Sequence, residues 1–117
     1  MRSDPNCIFC KIIEKKIPSK IVYEDDTAAA FEDVNPQAPV HLLVVPKKHI
    51  PDIHSMNDAD RELIGHLFLT AKKIADDKGL DGKGYRMVIN NGAGAGQTVF
   101  HLHLHILSGR RFTWPPG

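Results

Sequence analysis

Residues 101–107 read His-Leu-His-Leu-His-Ile-Leu. Side chains alternate faces along a strand, so His101, His103 and His105 would share one face while Leu102, Leu104 and Ile106 point into a core. Three imidazoles side by side have no packing advantage, and they repel one another when charged. The pattern therefore points to chemistry, of two kinds. One is a three-histidine metal site, because neutral imidazole is a common zinc ligand. The other is metal-free work on a phosphate, with one histidine as nucleophile and cationic neighbours stabilising charge and protonating a leaving group. Upstream lies Gly92-Ala93-Gly94-Ala95-Gly96-Gln97-Thr98. Such a turn is ordinary between two strands, but it also offers unhindered backbone N–H groups that can wrap a phosphate. Beside three histidines it favours the phosphate reading. No carboxylate pair stands close enough in sequence to suggest glycosidase-type acid–base work.

These residues need a frame. Cys7 to Lys16 carries Ile8, Phe9, Ile12 and Ile13, a short amphipathic helix stopped near Ile17-Pro18. Ile21–Glu24 and Thr27–Asp33 read as two strands of a hairpin, turning at Asp25-Asp26 and ended by Asn35-Pro36. Val40–Val45 is an apolar, valine-rich run, a buried strand ended by Pro46. Asn57 with Asp60 three residues on predicts the start of a long helix. Its stripe is Leu63, Ile64, Leu67, Phe68, Ala71, Ile74 and Ala75, and Gly79 suits its end. Leu69 falls off the stripe and hints at a second contact surface. Tyr85–Asn90 and Val99–Leu107 are the last strands, and the tail Phe112–Gly117 cannot be regular. The order predicts an α+β fold with a mostly antiparallel sheet, and dimerisation would cover what one long helix leaves open.

The 117 residues suit a single domain, 1–117, with one core. Fifteen basic against fourteen acidic residues leave a net charge of +1, which argues against a protein built to coat nucleic acid. No apolar stretch has signal-peptide or membrane-spanning length, so a cytoplasmic protein without a membrane partner is expected. In that compartment Cys7 and Cys10 should not form a structural disulfide. Their Cys-x-x-Cys spacing is half of a zinc site, or else two small residues packed on the first helix. His41, on the buried-strand pattern, reads as a structural histidine satisfying a backbone group, and His54 and His66 as surface or interface residues.

Several further segments fix a resemblance. They are Ile8-Phe9-x-Lys11-Ile12-Ile13, Phe31-x-Asp33-x-x-Pro36-Gln37-Ala38-Pro39-x-His41, Pro46-Lys47-Lys48-His49-Ile50, Tyr85-Arg86-x-Val88-x-Asn90, Gly96-Gln97-x-Val99-x-His101-x-His103-x-His105 and Trp114-Pro115-Pro116-Gly117. Over nearly its whole length the chain resembles the histidine triad (HIT) family, in its branch of small nucleotide-binding phosphoramidate hydrolases. That resemblance implies a homodimer whose two five-stranded antiparallel sheets join into one ten-stranded sheet. It implies cleavage of the P–N bond of purine nucleoside phosphoramidates, such as those of AMP, through a covalent nucleotidyl-histidine on His103. His105 would contact the phosphate and leaving group, and His101 and His49 would orient the nucleophile and pass protons. Asn90, Gly96, Gln97 and Thr98 would bind the phosphate, and Asp33 the ribose hydroxyls. Phe9, Ile12, Phe31 and Val34 would make the slot for the base, with Trp114 reaching in from the partner subunit. No cofactor is implied for catalysis. Some bacterial members bind zinc with two cysteines and two histidines, which here would be Cys7, Cys10, His49 and His101. A zinc there would compete with proton relay by the two histidines.

Glu32 and Ser108 depart from the family pattern, and Glu32 is expected to face solvent. Other branches are dinucleoside polyphosphate hydrolases, which tend to have proline where this chain has Phe100, and nucleotidyl transferases, which tend to have glutamine where it has His105. A non-catalytic nucleotide-binding regulator is the third reading.

Overall fold

The computed structural model describes residues 3–117. Helix α1 (Ile8–Ile13) leads into strands β1 (Ile21–Glu24), β2 (Ala28–Glu32) and β3 (Val40–Pro46). Helix α2 (Arg61–Asp77) follows, then strands β4 (Tyr85–Val88) and β5 (Leu104–Ser108). The strands form one five-stranded sheet in the order β1-β2-β3-β5-β4, and every pairing is antiparallel. The α+β architecture and its element order are those the sequence predicts. Among the described residues no helix is long and apolar enough to cross a membrane.

The sheet has an apolar filling on each face. Ala28, Ala30, Leu42, Val44, Leu104 and Ile106 meet Leu67, Ala71, Ile74 and Ala75 of α2. On the other face Ala29, Phe31, Leu43 and Val45 meet Phe9, Cys10 and Ile12 of α1. Register fixes what else stands on that second face. Phe31, Leu43, His105 and Val88 are successive cross-strand partners, so His105 lies in a row that runs towards α1's side chains.

The ends of α2 follow its sequence signals, with one difference. Asn57 and Asp60 form the expected capping box, but it closes a 3₁₀ turn, Asp58–Asp60, and the α-helix begins at Arg61. Asp60 is buried because it also binds Lys48 Nζ at 2.7 Å. At the far end Gly79 has φ +69°, and the Leu80 N–H reaches the Ala75 carbonyl at 2.9 Å. Only glycine adopts that conformation without cost.

The strands next to the site are shorter than expected. The last strand covers Leu104–Ser108 rather than 99–107, and β4 stops at Val88 rather than Asn90. The ladder ends at the pairs Val44–Leu104 and Val88–His105. Before it, the backbone bonds elsewhere: the Leu102 N–H donates to the Ile50 carbonyl at 2.7 Å, and the Val99 carbonyl accepts from the Gln97 side chain at 3.1 Å. Alternation survives all the same, with Leu102, Leu104 and Ile106 in the α2-side core. Helix α1 is also shorter than the expected 7–16 and ends at Ile13, beyond which Lys15 takes φ +64°.

Phe68 of the α2 stripe is 45% exposed, and Leu69, off the stripe, is 67% exposed. Residues 109–117 have no regular structure, as expected. Phe112 there packs under the Arg110 and Arg86 guanidinium groups.

Candidate active site and metal cluster

A cleft of about 470 Å³ opens between α1, the end of β2, and the starts of β3 and β5. That is the size of a small-ligand site. One part of its wall is apolar, from Ile8, Phe9, Ile12, Phe31, Val34, Leu43 and Val99. The other part is polar, from Asp33, Gln37, His41, Thr98, His103 and His105. Phe9 stands edge-on to Phe31 and to His103, with ring centroids 5.1 and 5.2 Å away.

Backbone carbonyls and amides assign the ring nitrogens. His103 Nδ1 lies 2.7 Å from the His101 carbonyl oxygen, so Nδ1 carries the proton and donates it. The lone pair is then on Nε2, the nitrogen left for the cleft. His41 Nδ1 accepts from the Gln37 N–H at 3.0 Å, which places a proton on His41 Nε2. That N–H points at His105 Nδ1, 2.8 Å away, with Asp33 Oδ2 at 3.4 Å. His105 must accept there, so its Nε2–H is the donor that faces the cleft. The site thus presents a lone pair on His103 beside an N–H on His105, with ring centroids 4.9 Å apart.

Burial pushes His105 down to about 4, helped by the neighbouring His103 and His41 and opposed by Asp33. Burial also lowers His41, again against Asp33. Both rings are therefore neutral in an empty cleft near pH 7. An anionic phosphate would add the opposite charge and favour a proton on the pair.

His101 and His49 do not line this cleft. The His101 ring is fully buried, and its Nε2–H donates to the Pro46 carbonyl at 2.7 Å. Its bare Nδ1 faces Cys7 Sγ at 3.4 Å, Cys10 Sγ at 3.5 Å and His49 Nδ1 at 3.2 Å. His49 Nδ1 stands 3.4 Å from Cys10 Sγ. Burial pushes His101 down to about 4, and pushes the Cys7 thiol up to about 11. Among the described residues no side-chain hydrogen bond joins either ring to His103, so the structure gives no route for the proton relay that the resemblance implies. What His101 gives His103 is its backbone carbonyl.

Four of the six edges among the inward atoms have the lengths of a tetrahedral zinc site. Zinc bond lengths put S···N edges near about 3.5 Å and N···N edges near about 3.3 Å. The separations match both, and all four atoms lie within 4.8 Å of one another. The outer contacts suit a metal too: Pro46 fixes the His101 tautomer, the Asp4 carboxylate lies 3.8 Å from His49 Nε2, and the Cys10 N–H donates to Cys7 Sγ. Asp33, His41 and His105 form a second cluster of ligand type. Their tautomers argue against metal there, because His41 already uses both ring nitrogens.

The remaining expected residues divide. Phe9, Ile12, Phe31, Asp33, Val34, Gly96 and Thr98 all border the cleft. Gln97 does not. It is buried, its amide donates to the Pro51 and Val99 carbonyls, and its Oε1 accepts from the Gly92 N–H. Gln97 therefore holds the glycine loop in shape, between Gly92 at φ +88° and Gly96 at φ +98°, and has no group left for a phosphate. Removing it leaves buried backbone groups unpaired, so Gln97→Ala should cost about 1–3 kcal/mol in urea unfolding. Asn90 lies beneath Gly96 rather than in the cleft wall. Trp114 is 82% exposed and away from the cleft of its own chain. Glu32 pairs with Lys20 at 3.1 Å on the solvent side, as expected, and borders the cleft's lip. Ser108 is buried and donates to the Gly84 carbonyl at 2.8 Å. His41 belongs to the site although its strand is apolar. The signal was its alternation with Leu43 and Val45, which puts it on the α1 side of the sheet.

The HIT domain family matches residues 14–112, which hold the cleft histidines. The chain is a HIT-domain protein. A HIT-like protein of Synechocystis is 61% identical over 110 residues, covering 94% of this HIT chain and 96% of that protein. The crystal structure of a HIT family hydrolase from Legionella pneumophila superposes with a TM-score of 0.94 at 53% identity, covering 96% of this chain and all of that one. A histidine triad nucleotide-binding protein from Candida albicans superposes with a TM-score of 0.81 at 33% identity, covering 94% and 83%.

Proposed function

We propose that this protein is a hydrolase of purine nucleoside phosphoramidates, cleaving the P–N bond to release the nucleoside 5′-monophosphate. The observation that carries the reading is the His103 tautomer, with a bare Nε2 at the cleft and an N–H of His105 beside it. The similarity to a HIT family hydrolase and to a nucleotide-binding triad protein supports it.

In this mechanism the base lies between Phe9, Ile12 and Phe31, and Asp33 accepts from the ribose hydroxyls. The phosphate rests against Gly96 and Thr98, which border the cleft. His103 Nε2 attacks the α-phosphorus, and the bond to nitrogen breaks. The His41–His105 pair carries a proton to the departing amine, which the bound anion helps it hold. Water then attacks the nucleotidyl-His103, giving its proton back to that pair, and the P–N bond to His103 breaks. Cys7, Cys10, His49 and His101 would hold a zinc ion, which supplies a fixed tie between α1 and the sheet and stands outside these steps. The working unit is a homodimer in the cytoplasm, with Trp114 near the partner's leaving-group side. The exposed Phe68 and Leu69 and the unpaired edge of β4 support that assembly.

The test is turnover of an adenosine phosphoramidate beside a diadenosine polyphosphate. The phosphoramidate should have the higher kcat/KM by about 100-fold or more, the scale of one lost transition-state contact. Equal values would favour the polyphosphate branch, and binding without turnover of either would favour a regulator.

A further inference from the structure

A sulfur cluster is only as inert as its access allows, and this one has a cleft against one of its cysteines. A second cleft of about 320 Å³, bordered by Asp4, Cys7, His49 and Phe100, lies next to the catalytic one. Cys7 borders it and is 8% exposed, whereas Cys10 does not border it and is 2% exposed. Cys7 is the N-cap of α1, and its extended backbone lets its Sγ turn to the first helical turn, where it accepts from the Cys10 N–H at 3.3 Å. The two sulfurs lie within 4.8 Å of each other. Side-chain rotation can close such a pair to a bond, as in other Cys-x-x-Cys pairs.

The pair also brackets the wall of the nucleotide cleft. Ile8 and Phe9 stand between the two cysteines in sequence, and both line the cleft. The cluster joins this turn of α1 to His49 and His101 across the chain. If the sulfurs turn to each other, that join is lost.

We propose that Cys7 and Cys10 are an oxidant-responsive dithiol: peroxide closes them into a disulfide, the metal leaves, and the cleft's α1 wall loosens its hold on nucleotide. The inference rests on the zinc reading above. In the first step the Cys7 sulfur attacks one peroxide oxygen, the O–O bond breaks, and the departing hydroxide takes a proton to become water. Cys7 is then a sulfenic acid. The Cys10 sulfur attacks Cys7 Sγ, the S–O bond breaks, and a second proton makes a second water. The two thiolates lose two electrons, hydrogen peroxide gains them, and the freed ion remains divalent.

Zinc-loaded protein treated with hydrogen peroxide should lose both thiols and release one zinc per chain. Its intact mass should fall by two hydrogens, and dithiothreitol with zinc should reverse all three changes. Cys10→Ser should stop at a Cys7 sulfenic acid that a dimedone probe captures. Oxidised protein should bind adenosine 5′-monophosphate at least about 5-fold more weakly than reduced protein, a modest coupling on the usual scale. Sulfinic acid in place of a disulfide, a disulfide between chains, or unchanged thiols would each overturn the proposal. An unchanged nucleotide affinity after clean disulfide formation would overturn its link to the cleft. Protein that takes up no zinc yet forms the disulfide would fail the zinc reading alone.

Discussion

His103→Ala should lower kcat for a nucleoside phosphoramidate by about 10⁴-fold or more, the scale seen when a nucleophile is removed. The reason is geometric. His103 is the residue whose bare ring nitrogen faces the cleft, and no nearby group can replace it: His105 presents an N–H, His41 is spent on Gln37 and His105, and His101 is turned away. Binding should respond differently. The base wall and Asp33 do not depend on the imidazole, so the Kd for the nucleoside monophosphate should stay within about threefold, under 1 kcal/mol. Single-turnover kinetics and calorimetric titration separate the two effects. Turnover within tenfold of wild type would show that another group attacks phosphorus.

Removing zinc should have the largest effect on stability. An ion held at about 100 times its Kd contributes about 2.7 kcal/mol to a native state that alone binds it. For a domain of this size that is a fall in Tm of about 10 °C on chelation. Cys10→Ser should show the same low Tm with or without added zinc, because it removes a ligand atom that touches both histidines of the cluster. Metal analysis of tag-free protein comes first, and less than a tenth of an equivalent of zinc would end the metal reading.

Much of the fold was legible because its signals are local. The valine-rich β3, the α2 stripe with its capping box and Gly79, and the alternation of Leu102, Leu104 and Ile106 each report on a neighbourhood of a few residues. The strand lengths around the site were not. Whether Val99–His103 extends β5 depends on which backbone groups the Ile50 carbonyl and the Gln97 amide claim, and those bonds join residues far apart in sequence or use a side chain as the partner. The same limit explains the site. Residue types singled out the histidines as a set, but where each ring turns depends on carbonyls at Pro46 and His101 and on an amide at Gln37, which no spacing reveals. Gln97 looked like a phosphate ligand because it sits in the loop. It is instead the residue that gives the loop its shape.

The division of labour at His101 has a consequence for how such a protein could change. Its ring faces the sulfur cluster, and its carbonyl accepts from His103 Nδ1–H. A carbonyl is present whatever side chain occupies the position. The cysteine–histidine cluster could therefore be dismantled by substitution at Cys7, Cys10, His49 or the 101 ring while His103 kept its tautomer. The reverse does not hold, since shifting the backbone at residue 101 would disturb both sites at once. The side chains of the cluster are thus open to sequence drift in a way that the backbone path is not, and a chain of this fold could exchange the cluster for ordinary packing without moving His103.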